Sequence, residues 1–391
     1  MLDGKVHSMK LTDFLDAKPL YYDEIDYDRM PRTYAAVKEQ LPLPKVIHVV
    51  GTNGKGTTGR FIASALYHGG YSVGHYTSPH ILRFNERIWR DGANASDEVL
   101  EAAHASLYAM LGKAAADALS YFEYTTLLAM VVFGGCDWVV LEAGLGGEHD
   151  ATNVFAKKLS VFTPIGRDHE AFLGDDIASI AATKLRSMGP RAVMALQTDE
   201  AVYEVYDAIA AERGVPARRV KEILDDADIV AAARIAEHRA FPGYLRENLE
   251  LAMAALKLLG VACEPGWFDA TPLFGRLSPI GENVLLDVGH NPLAAEAICR
   301  SLTPEKVVLV YNTYRDKSYR EILEILKPVV SRVEIIEVDE ARIVERSLLE
   351  AALDEAQMEH RPFAGIDKGE RYLVFGSFSV AEAFMRATHA Q

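Results

Sequence analysis

The chain has 391 residues, with 41 lysine and arginine residues against 56 aspartate and glutamate residues, so its formal net charge is −15. A hydrophobic fraction of 49% and a charged fraction of 25% are ordinary for a globular protein and argue against a disordered chain or a coiled coil. The acidic balance argues against a dedicated nucleic-acid-binding protein, which needs a basic surface. The length leaves room for two or three domains.

The cysteines and the apolar segments indicate a cytoplasmic protein. Cys136, Cys263 and Cys299 are widely spaced and odd in number, which fits neither a disulfide framework nor a zinc site. Residues 1–10 lack the apolar core of a signal peptide. The most apolar stretch, 127–136, is too short to span a bilayer, and we interpret it as a buried helix. We therefore expect a cytoplasmic protein without membrane or nucleic-acid partners.

Strand and helix patterns alternate over the first 260 residues. Short apolar runs predict strands at 45–50, 72–76, 138–141 and 159–164. Helical spacing predicts helices at 57–68, 96–111, 121–133 and 177–186, with Ser96 as an N-cap. Strands separated by helices predict a parallel sheet with right-handed crossovers.

A second series of strands and helices follows a proline-containing linker near 263–279. Its predicted strands are 284–287, 307–311, 333–336 and 372–375, and its predicted helices are 293–302, 319–326 and 346–356. The fold class is therefore α/β, with a parallel-sheet P-loop ATPase domain over 1–264 and a smaller, Rossmann-like α/β domain over 265–391.

A glycine-rich loop connects the first predicted strand to its helix and reads Gly51-Thr52-Asn53-Gly54-Lys55-Gly56-Thr57. Its glycines allow several backbone N–H groups to point at one anion, beside a helix N-terminus. Lys55 adds a full positive charge, and Thr57 offers a hydroxyl near Mg²⁺. The strict Walker pattern has Ser or Thr directly after the lysine, where this chain has Gly56. A simple turn with a surface lysine is the alternative, but the strand–loop–helix context favours phosphate binding.

Further motifs follow this loop in a fixed order. They lie at 76–88, 121–126, 141–147, 150–153, 166–175, 275–276, 287–292, 316–317 and 376–377. The loop sequence GTNGKGT resembles the phosphate loop of the Mur-ligase superfamily. The whole series of motifs resembles that of the folylpolyglutamate synthase and dihydrofolate synthase family within it. The resemblance runs from the first strand to the last helix.

This resemblance implies a reaction and its small-molecule partners. ATP would activate a carboxylate as an acyl phosphate, and the amine of L-glutamate would attack it. The acceptor would be dihydropteroate, tetrahydrofolate with its (poly)glutamates, or both, and the enzyme would be a monomer. A monofunctional folylpolyglutamate synthase and a Mur-type peptidoglycan ligase are alternatives. The 44 residues before the first strand leave no room for a UDP-binding domain. A non-ligase P-loop ATPase or GTPase would not explain the second domain.

Three residues are implied as ligands for two Mg²⁺ ions. Glu142 ends a predicted parallel strand, where a carboxylate faces the ligand crevice, although a solvated strand end is the alternative. Ser78 and His169 are metal ligands through the resemblance, since from the residues alone they are a turn residue and a structural histidine. Lys184 corresponds to a lysine that is carbamylated in the family. Its neighbours depart from the family's Glu-Lys-Ala-Gly, because this chain has Thr183-Lys184-Leu185-Arg186.

The remaining site residues are also implied by the resemblance. Asn248, Arg276 and Asp287 would hold ATP between the domains, and Asp287, His290 and Ser377 would act in catalysis near the incoming glutamate. The pterin and carboxylate side would be lined by Phe122, Asp150 and Ala151. A second departure lies at Glu148-His149, where the family usually has a basic residue after the glycine pair.

Overall fold

The computed structural model describes residues 9–18, 26–168, 170–174, 176–268 and 274–389. The first sheet has eight strands in the order β4-β3-β2-β5-β1-β6-β7-β8. These strands are β1 (Lys45–Val50), β2 (Val73–Tyr76), β3 (Ile88–Arg90), β4 (Ala93–Asn94), β5 (Trp138–Glu142), β6 (Lys157–Phe162), β7 (Ala192–Met194) and β8 (Ala217–Arg219). Neighbours pair in parallel except β2 with β3 and β3 with β4, which form an antiparallel edge.

The helices of this part of the chain surround that sheet. They are α1 (Leu11–Asp16), α2 (Arg29–Val37), α3 (Lys55–His68), α4 (Asp97–Ala118), α5 (Tyr121–Val132), α6 (Glu170–Leu173), α7 (Ile177–Leu185), α8 (Glu200–Arg213), α9 (Asp226–His238) and α10 (Gly243–Leu258). Separate apolar clusters on the two sides of the sheet show that it is covered on both faces, as expected for parallel strands.

The second sheet has six strands in the order β13-β12-β11-β14-β10-β9. Its strands are β9 (Ser278–Ile280), β10 (Val284–Leu286), β11 (Val307–Tyr311), β12 (Val330–Ile335), β13 (His360–Pro362) and β14 (Tyr372–Phe375), and its helices are α11 (Pro292–Leu302), α12 (Tyr319–Leu326), α13 (Arg346–Glu355) and α14 (Phe378–His389). Among the strands that the structure describes in this sheet, only β9 pairs antiparallel. The predicted α/β class with two parallel-dominated sheets is confirmed, while the boundary between 264 and 265 stays a prediction.

Strand register brings the predicted site elements together. β1 lies between β5 and β6, with Val49 opposite Glu142 and Val50 opposite Phe162. The glycine-rich loop, Glu142 and the loop after β6 therefore leave the sheet at the same edge. Tyr76 pairs with Leu141, which brings the Thr77–Ser78 segment to that edge as well. This is the crevice at the carboxyl ends of the strands, where ligands bind in open α/β sheets.

Helix α5 confirms a buried helix over the first part of the apolar stretch 127–136, but the helix ends at Val132, and 133–136 form the turn before β5. Leu127 and Leu128 are fully buried, and Ser120 accepts from the Glu123 N–H as an N-cap. Ser96 likewise caps α4, which is longer than predicted and is interrupted at Gly112. Within the described part of the chain, no helix is long and apolar enough to cross a membrane.

We expect Leu128→Ala to lower the free energy of unfolding by about 2–5 kcal/mol, because it leaves a cavity in a close-packed core. Leu43→Ala is the matched control, since Leu43 is 74% exposed, and it should change stability by less than about 0.5 kcal/mol. Urea denaturation followed by circular dichroism measures both. Equal stabilities for the two variants would contradict the packing described for α5.

Candidate active site

The glycine-rich loop is shaped by two close approaches. Gly54 is the N-cap of α3 in the left-handed region, with φ +83°, and a Cβ there would lie 2.4 Å from Asn248 Oδ1. A Cβ on Gly51 would lie 1.9 Å from Thr163 Oγ1. The loop therefore needs glycine at both positions, and buried Asn248 of α10 packs directly against it. The structure thus brings Asn248 to the loop as predicted from the sequence, although its contact with a nucleotide stays a prediction.

The loop is tied to the segment that follows β6. Thr52 N–H donates to Pro164 O at 2.9 Å, and Thr52 Oγ1 donates to Gly166 O at 3.0 Å. Lys55 Nζ donates to Thr52 O at 3.0 Å and to Gly51 O at 3.3 Å. The carbonyl groups of Gly51 and Thr52 thus hold the Lys55 ammonium over the loop, where it could contact a bound phosphate.

The hydroxyl of Thr57 is a buried polar group without a protein partner. Within the described residues, neither Thr57 Oγ1 nor Thr58 Oγ1 has a hydrogen-bond partner, although both are buried. Buried hydroxyls nearly always have a partner, and an orphaned one needs an explanation. Thr57, two residues after Lys55, has the donor type that a metal–phosphate complex would use.

Glu142 is the buried carboxylate at the centre of the site. Thr77 Oγ1 donates to Glu142 Oε2, and the Ser78 N–H donates to the same oxygen at 3.3 Å. Burial raises the pKa of Glu142, while Lys55 and then Arg276 lower it by charge. The structure therefore brings Ser78, Glu142 and Lys55 together, while their roles toward a metal and a phosphate stay predictions. The third predicted metal ligand, His169, lies outside the described residues.

Lys184 lies beneath the phosphate loop. Its side chain is buried, and Nζ donates to Gly51 O at 3.0 Å, the same carbonyl that Lys55 contacts. Burial, and next the nearby Lys55 ammonium, lower the pKa of Lys184 to about 7. A substantial fraction of Lys184 is therefore a neutral amine near pH 7, and the neutral amine is the nucleophilic form.

The second domain brings Arg276 and Asp287 to this edge. Tyr244 OH donates to Asp287 Oδ2 at 2.7 Å, and the Leu277 N–H donates to the same oxygen at 2.9 Å. The Gly289 N–H donates to Asp287 Oδ1 at 2.8 Å. The carboxylate of Asp287 therefore fixes the segment that carries Arg276 relative to α10 and to the loop after β10.

His290 and Ser377 lie at the carboxyl edge of the second sheet. His290 Nε2 lies 3.6 Å from Asp168 Oδ2, so this histidine faces the first domain. Ser377 Oγ accepts from the Val380 N–H at 3.1 Å within the first turn of α14, and its side chain is buried. In this structure Ser377 therefore orders the start of α14.

The residues predicted to line the substrate side surround the loop after β5. Asp150 accepts from the N–H groups of Gly144 and Leu145 at 2.9 Å each, and from the hydroxyl of Thr152 at 2.5 Å. Burial raises the pKa of Asp150, and these hydrogen bonds lower it. The carboxylate of Asp150 thus holds this loop in shape.

An aromatic surface lies next to that loop. The Phe122 ring packs against Gly144, where an added Cβ would lie 2.6 Å from Phe122 Cζ. The same ring is 5.8 Å from the ring of Tyr76, and Ala151 is buried beside Asp150. These contacts place the Phe122 ring against Gly144, two residues after Glu142, and leave Ala151 buried next to Asp150.

Comparison with known proteins identifies the family. No protein-family model matches the chain. It is 35% identical over 327 residues to the dihydrofolate synthase/folylpolyglutamate synthase of Escherichia coli (strain K12), covering 78% of this chain and 76% of that protein. The chain belongs to the dihydrofolate synthase/folylpolyglutamate synthase family. Its members are ATP-dependent ligases.

Solved structures agree with this family. The folylpolyglutamate synthetase of Helicobacter pylori superposes with a TM-score of 0.79 at 38% identity, covering 97% of this chain and 98% of that chain. E. coli FolC in complex with DHPP and ADP superposes with a TM-score of 0.80 at 26% identity, covering 96% of each chain. The two-domain α/β architecture is therefore shared over nearly the whole chain.

The two departures from the family pattern meet in space. Glu148 follows the glycine pair, and Arg186 is the C-cap of α7, two residues after Lys184. Arg186 Nη1 lies 3.3 Å from Glu148 Oε2, and the Glu148 N–H donates to Thr183 O at 2.9 Å. The acidic residue at position 148 is therefore accompanied by a cation from the neighbouring helix.

Three polar residues of the site were not predicted as site residues. Asp168, Asn291 and Lys317 come together between the domains, with Lys317 Nζ 2.6 Å from Asp168 Oδ1. Asp168 and Asn291 follow predicted strands, and Lys317 lies in a family motif. These positions were the features of the sequence that could have marked the three residues as part of the site. Only the docking of the domains shows that they meet.

We expect Gly54→Ala to lower ADP affinity at least about tenfold, because the new Cβ would clash with Asn248 and strain the backbone by about 1–3 kcal/mol. Gly70→Ala is the matched control, since Gly70 has φ +89° and nothing lies within 4 Å of its added Cβ. Isothermal titration calorimetry compares the two. Unchanged ADP affinity in a folded Gly54→Ala variant would contradict the phosphate-loop assignment.

Proposed function

We propose that this family member joins L-glutamate to dihydropteroate, to folate (poly)glutamates, or to both, using ATP. The observation that carries the proposal is that strand register sets the phosphate loop, with Lys55, beside the buried carboxylate of Glu142, where Arg276 of the second domain also lies close enough to lower the pKa of Glu142 by its charge. Cations from both sides of a crevice suit a triphosphate and a carboxylate bound between them. The E. coli relative bound to DHPP and ADP supports this reading.

The reaction begins with a carboxylate, which resists attack by amines because oxide is a poor leaving group. A substrate carboxylate oxygen attacks the γ-phosphorus of ATP, and the bond between that phosphorus and the ADP oxygen breaks. The glutamate amine then attacks the acyl carbon, loses a proton, and phosphate leaves. Positioning and charge stabilisation carry such a reaction. Loop amides and the N-terminus of α3 would bind phosphate oxygens, with Lys55 and Arg276 on opposite sides.

Magnesium fits the residues that the structure brings together. The orphaned hydroxyl of Thr57 and the buried carboxylate of Glu142 are oxygen donors of the type that Mg²⁺ prefers, and Ser78 lies beside Glu142. No group of three His, Cys, Asp or Glu side chains with metal-site geometry occurs among the described residues. Phosphate oxygens and water normally complete such a site. When bound, Mg²⁺ would neutralise charge on the phosphates. A second ion at His169 is part of the proposal.

We include carbamylation of Lys184 in the proposal. The neutral Nζ would attack CO₂, form an N–C bond and release one proton, so a neutral amine becomes an anionic carbamate. Lys184 is suited to this step because burial and Lys55 already lower its pKa to about 7. The resulting carbamate anion would be stabilised by attraction to the nearby Lys55 ammonium.

The remaining roles complete the proposal. Asn248, Arg276 and Asp287 would hold the nucleotide, and His290 with Ser377 would meet the incoming glutamate from a domain that spans 265–391. Phe122, Asp150 and Ala151 would form the pterin side, with Asp150 acting through the loop that it orders. The protein would be a cytoplasmic monomer without nucleic-acid or membrane partners, in keeping with its acidic charge.

The decisive experiment assays the purified protein with ATP, Mg²⁺ and glutamate, with dihydropteroate and tetrahydrofolate tested separately. We expect amide product with at least one acceptor and ADP release that requires both glutamate and acceptor. Lys55→Ala should abolish product while circular dichroism stays unchanged, because Lys55 is a half-buried side chain at the first position of α3, outside the apolar core. ADP release without either co-substrate would favour a simple ATPase, and near-wild-type ligation by Lys55→Ala would contradict the assigned role of Lys55.

A second prediction concerns Lys184. We expect Lys184→Ala to lose most activity and to recover part of it with added small carboxylic acids, which replace the missing carbamate. In the wild type, the neutral amine fraction grows as pH rises through about 7, so carbamate formation at constant CO₂ should rise with pH. Carbon-13 NMR after incubation with labelled bicarbonate measures this directly. Full activity of Lys184→Ala would exclude a catalytic carbamate.

A further inference from the structure

A largely buried polar cluster joins the two domains and consists of half-buried Asn53 and Asp168 and of buried Asn291 and Lys317. Asn53 belongs to the phosphate loop, and Asp168 to the loop after β6. Asn291 follows β10, and Lys317 follows β11, so two residues come from each sheet. We call this set the interdomain polar cluster. The steps proposed above do not use three of its four residues.

The two asparagines form a reciprocal amide pair. Asn53 Nδ2 donates to Asn291 Oδ1 at 2.9 Å, and Asn291 Nδ2 donates to Asn53 Oδ1 at 2.9 Å. Asn291 Nδ2 also donates to Asp168 Oδ2 at 3.2 Å, and Asn291 Oδ1 caps α11 by accepting from the Ala294 N–H at 2.9 Å. One side chain therefore fixes the start of α11 against the phosphate loop itself.

The second contact is a buried ion pair. Lys317 Nζ lies 2.6 Å from Asp168 Oδ1, and the two side chains are only 6% and 8% exposed. A buried pair adds little stability over apolar packing, but removal of one partner leaves an uncompensated buried charge. The pair thus favours one docked arrangement over all the others.

We infer that Asn291 and Lys317 are positioning residues that dock the second domain on the phosphate loop and on the loop after β6. Asn53 is part of the phosphate loop and is hydrogen-bonded to Asn291 of the second domain. The conformation of that loop is therefore coupled to the docking of the domain. A docked second domain covers the reacting atoms and excludes water that would hydrolyse an acyl phosphate. This catalytic consequence rests on the proposed function, whereas the docking itself does not.

The test uses two variants of the full-length protein. Asn291→Ser keeps a capping oxygen for α11 but is too short for the amide pair, and Lys317→Met keeps the stem without the charge. Small-angle scattering of the ligand-free protein should give a larger radius of gyration for both variants than for the wild type. The ratio of ADP to amide product should rise above the wild-type value of about one, and kcat/KM for glutamate should fall roughly tenfold or more. Lys317→Arg should restore much of the coupling.

Two controls separate docking from general damage. Asn283→Ser removes hydrogen bonds to Asp367 O and Glu370 O that lie within the second domain, and Lys368→Met removes an exposed lysine. Both should match the wild type in radius of gyration and in the ADP-to-amide ratio. Wild-type values of both quantities in Asn291→Ser and Lys317→Met would overturn the inference. If the wild type makes no amide, the proposed function fails, while the scattering comparison still decides the docking.

Discussion

The structure depends on one constraint, the parallel pairing of β1 between β5 and β6. Parallel strands end at the same edge, so the residues that follow them must converge. The register places Val49 opposite Glu142, which sets the phosphate loop beside the buried carboxylate. A shift of one residue would turn Glu142 to the opposite face of the sheet. The apolar runs buried on both faces hold this register, and the site follows from it.

The net charge of −15 limits the ways in which the protein could bind anionic substrates. Its general field does not attract them, so binding must rest on a few placed cations. Lys55 is held at the phosphate loop by the carbonyl of Gly51, and Arg276 lowers the pKa of Glu142 by its charge from the segment before β9. Helix termini and loop amides add fixed dipoles at the same place. The acidic surplus then belongs to solvated surfaces and affects solubility.

Long and strongly patterned elements could be predicted from the sequence, whereas short polar ones could not. The strands Lys45–Val50 and Tyr372–Phe375 match their predicted bounds because continuous apolar runs between turns have one stable interpretation. The antiparallel edge formed by β3 and β4 was not predicted, and neither were β7, β8, β9 or β13. These strands are two or three residues long, and their pairing depends on neighbours that lie far away in sequence. No pattern in the sequence indicated that Ser377 would stabilise the start of α14 or that Asp150 would stabilise the loop after β5.

The sequence by itself determined the fold class, the phosphate loop and the family, because these are local patterns with fixed order and spacing. Only the tertiary structure decided that Lys184 lies under the phosphate loop, that Glu148 pairs with Arg186, and that Asn291 meets Asn53. Each of these contacts joins segments that are distant along the chain. Burial lowers the pKa of Lys184 only when the sheet and α7 enclose it, and no pattern of neighbouring residues encodes that enclosure. Local sequence patterns therefore determined the fold class, the phosphate loop and the family, whereas tertiary packing determined the contacts and the pKa values of the site residues.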